Sequence, residues 1–238
     1  MIKKIFISAG HGGSDPGAVA NNLIEKNLNL VVSLKLKELL LSVGFEVMMV
    51  REDDSFVSLS DRAAMSNGWG ADLYIAIHHN AGGGDGAEVI HSIYHGTGYE
   101  VAHFIAQEFE SSGQNIRNIY AREGAHGDYY AEIREPIAPA IITEYAFLDS
   151  KDCEAVDTIE ELHTEAYAIF KGICTCFGIA IPRPTSNIST TLGILSKEIA
   201  IDPGYWVTNA VRGGVCDGEL VATIFRRFAD RIEKGRLR

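Results

Sequence analysis

Short apolar runs alternating with helical periodicities constrain this 238-residue chain more than any other feature. Ile5–Ser8, Phe45–Val50, Ala71–His78, Ala87–Tyr94 and Ala138–Glu144 read as strands. Leu28, Val31, Val32, Leu36, Leu39, Leu40 and Val43 fall at helical spacing, and Gly44 suits the position just past a helix end. Helical patterns recur at Leu59–Ser66, Thr97–Ser111, Lys151–Asp157 and Ile159–Phe177. Strands alternating with helices predict an α/β fold, with a largely parallel twisted sheet flanked by helices.

Charge divides the chain. Residues 1–180 hold 12 Lys and Arg against 26 Asp and Glu, a net of −14, whereas residues 181–238 hold 9 against 6, a net of +3. Residues 181–191 contain two prolines and polar β-formers without periodicity, which reads as a linker. The expected organisation is a large domain over 1–180, that linker, and a small, mainly helical C-terminal domain over 192–238, with Ala222–Ile232 its clearest helix. A domain this small builds little core and is expected to dock to something or to form a homodimer.

The overall charge of −11 argues against nucleic acid as a partner. No apolar run approaches the ~20 residues of a membrane span. Lys3 and Lys4 precede an apolar stretch too short for a signal-peptide core, so synthesis in the cytoplasm without a signal peptide is expected. Cys153, Cys174, Cys176 and Cys216 are too scattered for a disulfide scaffold. Cys174 and Cys176 end an apolar helical pattern and read as buried thiols.

Ligands of a parallel α/β sheet bind beyond the carboxyl ends of its strands. His11 follows the first strand in a glycine-rich loop, His78-His79-Asn80 ends the third, and Glu144 ends the last. Glu25 stands just before the first long helix. Two imidazoles and a carboxylate are a common ligand set for catalytic zinc, which keeps a fourth position for water. A further carboxylate held off the metal can serve as general base. The glycine loop lacks the Lys-Ser/Thr ending of a phosphate loop and contains an acid. Plainer readings exist: His11 as a turn residue, one of His78 and His79 simply buried, Glu25 at a helix start favoured by the macrodipole. Glu144 resists such a reading, because a carboxylate within a buried strand is costly without a partner. Spacing alone leaves open which of His78 and His79 would be the ligand.

Four ordered stretches, "AGHGGSDPGA", "IEKNLNL", "SLSDRAAMSNGWGADLYIAIHHNA" and "PAIITEYAFLDS", resemble the zinc-dependent N-acetylmuramoyl-L-alanine amidases of type 3. The resemblance runs from Ile5 to Phe177. It implies one zinc ion per chain, with His11, Glu25 and His78 as ligands, His79 at a variable position and Glu144 as the catalytic carboxylate. Ala76 stands where the family usually has serine. Arg62 and Arg134 align with family arginines that serve equally well as structural partners of carboxylates, and Asp15 is left to fix the turn. His91, His95, His103, His126 and His163 match no family position and are expected on surfaces or helix faces. Gly82-Gly83-Gly84 would leave room for a glycan strand. The implied substrate is peptidoglycan, cut between N-acetylmuramic acid and L-alanine, by an endolysin or related lytic enzyme that meets the wall after release by holin or lysis. The small domain, with Tyr205 and Trp206, would then target the wall or dimerise. A zinc peptidase acting within the stem peptide and a non-catalytic wall-binding protein are the alternatives; the intact Glu144 argues against the second.

Overall fold

In a computed structural model that describes residues 4–181, the chain runs β1 (Lys4–Ala9), a hairpin β2–β3 (Val19–Ala20 and Leu23–Ile24), α1 (Glu25–Ser42), β4 (Glu46–Met49) and α2 (Leu59–Trp69). It continues through β5 (Leu73–Asn80), β6 (Ala87–His91), α3 (Thr97–Ser111), β7 (Ile116–Tyr120) and a small ribbon β8–β9 (Glu123–Gly124 and Gly127–Asp128). Last come α4 (Ala131–Arg134), β10 (Ala140–Phe147), a 3-10 turn (Lys151–Ala155) and α5 (Ile159–Cys176). The expected linker beyond Ile181, the expected small domain over 192–238 with its expected helix at 222–232, and Tyr205, Trp206 and Cys216 lie outside the described residues.

Six strands form one sheet in the order β4-β1-β5-β10-β6-β7. The first four are parallel, β6 runs antiparallel to β10, and β7 is parallel to β6. This is the mainly parallel α/β sheet that the alternation of elements predicts. The reversal at β6 has a simple cause: the six residues 81–86 joining it to β5 are too few for a crossover, which takes a dozen or more. β7, α4 and the β8–β9 ribbon were not apparent in the sequence. β7 is an edge strand whose Arg117 and Asn118 are exposed, so it lacks a continuous apolar run.

Side chains of alternate strand residues enter opposite layers. Ile5, Ile7, Ile75, Ile77 and Ile141 pack with Leu36 of α1, Ile105 of α3 and Ile169 of α5. Phe6, Tyr74, Ala76 and Ile142 form the opposite layer with Ile133 of α4. Helix α5 starts in a capping box, Thr158 with Glu161, which satisfies two otherwise orphaned backbone donors. Cys174 is buried, and Cys153 and Cys176 are partly buried; all three are free thiols. Among the described residues no helix is long and apolar enough to cross a membrane.

Candidate metal and catalytic site

The carboxyl ends of β1, β5 and β10 share one edge, and the loop after β1 carries His11 over it. Two buried guanidinium groups hold that loop by its carbonyls. Arg51 donates to the carbonyls of Ala9 and Gly10 at 3.1 and 2.8 Å, and Arg62 to those of Ala9 and His11 at 2.7 and 2.8 Å. Arg62 thus has a structural duty next to the site, and Arg51, unremarked in the sequence, shares it. Two glycines supply space. A methyl group at Gly10 would strike the His78 imidazole, and one at Gly17, where φ is +66°, would strike Glu25 Oε2.

Helix α1 opens with Glu25, whose Oε2 accepts the Ala18 N–H at 2.8 Å. Its Oε1 lies 3.1 Å from His11 Nε2 and 3.0 Å from His78 Nδ1. One donor atom from each of these three residues falls within 4.8 Å of the others, a group able to hold a metal ion. The outer nitrogens of both rings also face carboxylates: His11 Nδ1 lies 2.8 Å from Asp15 Oδ2, and His78 Nε2 lies 3.0 Å from Glu132 Oε2. A histidine that ligates a metal commonly donates its other N–H to a carboxylate, which selects the tautomer and aims the lone pair. The donor set therefore fits a divalent ion. Burial lowers the His78 pKa, but bonds from Glu132 and Glu25 outweigh it and raise it well above its ordinary 6.5. Burial opposes ionisation of Glu25 too, yet bonds from His11 and His78 hold its carboxyl far below the usual range.

Two more carboxylates line the same cavity of about 410 Å³, whose walls are Phe56, Val57, Leu59, Tyr130 and Ile142. Glu132 also accepts from Ser8 Oγ at 2.6 Å and from Tyr74 Oη at 2.7 Å. Burial would raise its pKa, but the His78 bond prevails and it falls to about 2. Glu144 differs. It pairs in register with His78, and its buried Oε2 has no hydrogen-bond partner among the described residues. Burial, against the attraction of His78, pushes its carboxyl up to about 7. Two carboxyls in one cavity are thus driven apart, one fixed as an anion and one poised near neutrality.

All four residues singled out from the sequence, His11, Glu25, His78 and Glu144, meet at this edge. His79 points the other way, into the core, with Nδ1 2.7 Å from Asn29 Oδ1 and Nε2 3.0 Å from Glu165 Oε2. Arg134 donates to the carbonyls of Asp128 and Tyr129, steadying the segment that brings in Tyr130 and Glu132. Glu132 was missed because nothing local marks it; it comes from a four-residue helix. The remaining histidines stand apart from the site. His91, expected on a surface or a helix face, is instead buried on a strand, because its ring packs against Tyr99 as β6 ends beneath α3. His95 and His126 are exposed, and His103 and His163 half-buried. Gly82 and Gly83 are not bare either, since their N–H groups donate to Asp149 at 2.8 and 3.0 Å.

Comparison with known proteins gives this geometry a family. The sporulation-specific N-acetylmuramoyl-L-alanine amidase of Bacillus subtilis is 35% identical over 202 residues, 84% of this chain and 78% of that protein. The endolysin of Bacillus phage SPP1 is 32% identical over 232 residues, 88% of this chain and 81% of the relative. The solved catalytic domain of CwlV, an N-acetylmuramoyl-L-alanine amidase from Bacillus (Paenibacillus) polymyxa var. colistinus, superposes with a TM-score of 0.68 at 26% identity, covering 75% of this chain and 100% of that one. The model of the N-acetylmuramoyl-L-alanine amidase family matches residues 5–175, and the chain belongs to that family of enzymes, whose substrate is peptidoglycan.

Proposed function

We propose that the chain cuts the amide between the lactyl group of N-acetylmuramic acid and L-alanine with one zinc ion held by His11, Glu25 and His78, and with Glu144 as the catalytic base. The observation that carries this reading is the convergence of His11 Nε2 and His78 Nδ1 on Glu25 Oε1, beside a carboxyl with an unpartnered buried oxygen. When bound, zinc supplies Lewis-acid chemistry, polarising a carbonyl and making water more acidic. Glu132 and Asp15 keep the outer ring protons of His78 and His11, so that the inner nitrogens offer lone pairs. Glu144 takes the proton of the attacking water and passes it to the departing L-alanine nitrogen. The apolar walls limit competing water around the scissile carbonyl.

Mass spectrometry of digested wall tests the reaction. Peptides with a free L-alanine amino group are expected; muropeptides still joining N-acetylmuramic acid to L-alanine after exhaustive digestion would overturn it. Glu144→Gln is expected to lower kcat by about 10²- to 10⁴-fold with zinc content unchanged. A base must be ionised, so kcat/KM of the parent should fall on the acid side of a pKa near or below 7, since a nearby cation draws it down from about 7.

A catalytic unit over 1–180, a linker over 181–191 and a wall-targeting or dimerising domain over 192–238 complete the proposal, on composition and charge alone. Limited proteolysis should nick first within 181–191. The named endolysin relative supports a lytic enzyme that reaches the wall on release from the cell.

A further inference from the structure

Beyond Glu144 the catalytic edge continues into β6 and β7, which the metal group does not use. Glu144 pairs in register with Glu88 of β6, and a bulge between Ala87 and Glu88 sets Arg117 of β7 alongside. Arg117 Nε donates to Glu88 Oε1 at 2.9 Å, and Asn80 Nδ2 donates to Glu88 Oε2 at 3.3 Å. The guanidinium lies over the Phe147 ring, 5.1 Å from its centre. It is also wedged against Gly84, where an added methyl group would come within 2.4 Å of Phe147 and 2.7 Å of Arg117 Nη1. The guanidinium is thus held in place while the Arg117 side chain stays 49% exposed. A half-exposed ion pair of this kind contributes little to stability. Its setting is nevertheless a built one, at the reaction edge of a domain with a net charge of −14 over 1–180.

The two sides of Glu144 are chemically unlike. On the β1–β5 side lies the cavity walled by Phe56, Val57 and Leu59, suited to the apolar faces of an uncharged sugar. On the β6–β7 side stands Arg117, two strand spacings or about 10 Å from β10. We infer that Arg117 is a specificity-determining residue, whose Nη edge, without a hydrogen-bond partner among the described residues, receives the α-carboxylate of the second residue of the stem peptide, so that glycan and peptide straddle Glu144 in a fixed direction. That carboxylate sits one residue beyond the scissile nitrogen, and a guanidinium fork matches it with two parallel donors. The inference rests on the amidase reading, and it adds a preference: stems with a free α-carboxylate over stems amidated there.

The test uses two disaccharide tripeptides that differ only in whether the second-residue α-carboxylate is free or amidated. With the full chain, the free acid is expected to show kcat/KM about tenfold higher, mostly through KM, the low end for a charge-assisted pair half in water. Arg117→Ala should erase that preference while leaving the amidated substrate within about twofold. Equal losses on both substrates, or no preference in the parent, would overturn the assignment. The same comparison without turnover uses the two free tripeptides bound to full-length Glu144→Gln, followed by NMR titration. Loss of the acid-over-amide difference on adding Arg117→Ala supports the assignment, and an unchanged difference rejects it. A parent enzyme that cuts neither muropeptide at the lactyl amide would instead fail the amidase reading, and the titration would still decide Arg117.

Discussion

His78 and His79 are neighbours on one strand, and each ring bonds a buried carboxylate, yet they serve different regions of the molecule. His78 faces the cleft, between Glu25 and Glu132. His79 faces the core, between Asn29 of α1 and Glu165 of α5, where its side chain and that of Glu165 are 0% exposed. Asn29 Nδ2 is occupied by the Gly10 carbonyl and Glu25 Oε1, so Asn29 Oδ1 accepts from His79 Nδ1–H. Burial lowers the His79 pKa, but the charge and bond of Glu165 outweigh it and raise it above 6.5. The difference lies in what each second nitrogen meets. In the cleft it meets a carboxylate shared with another imidazole, an arrangement that a cation can take over. In the core it meets a neutral amide, and both nitrogens are committed.

The largest break in this comparison is expected from His78→Ala, which should abolish zinc binding and with it all measurable wall lysis. His79→Ala should retain the metal, as elemental analysis of the two purified variants would reveal. The reverse result would exchange their roles. Next, His79→Ala should cost about 3–5 kcal/mol of unfolding free energy by leaving Glu165 buried and unpaired. The double change His79→Leu with Glu165→Leu should recover most of it, as read by denaturant melts. A smaller effect is expected from Glu132→Gln, which keeps the shape but weakens the acceptor behind His78. Zinc affinity measured by chelator competition should drop about 10- to 100-fold.

The smallest effect concerns pH. A group whose pKa is raised by folding contributes stability in full below its unfolded value and loses it as pH climbs through the folded one. The His79–Glu165 contribution should therefore be complete at pH values just below about 6.5, decline as pH rises from there to the raised His79 pKa, and be gone above it. The double leucine variant should have a flatter stability profile over that window. An unchanged slope in that variant would assign the pH dependence to another group.

Much of the site was legible because its residues come where strands stop. His11, His78 and Glu144 follow apolar runs, and Glu25 opens a helix, so parallel topology alone brings them to one edge. Resemblance to a family then distinguished His78 from His79, which periodicity could not do without knowing which face of β5 meets α1 and α5. Glu132 and Arg51 were illegible for a different reason. Each acts through contacts far along the chain, Glu132 on Ser8 and His78, Arg51 on the carbonyls of Ala9 and Gly10. The reversal of β6 was readable in principle from its short loop, whereas β7 showed no apolar run to find.

By itself the sequence determined the α/β alternation, the strand ends and the residue types that converge there, because side-chain period and turn chemistry are local properties. Tertiary structure alone decided which carboxylates are paired and which is left bare. Glu25, Glu132, Glu144 and Glu165 are the same residue type, all withdrawn from water to differing extents. What separates a carboxylate shared by two imidazoles, one held as an anion behind His78, one left without a hydrogen bond and a core ion pair is the partner each meets after folding, and such partners come from distant segments.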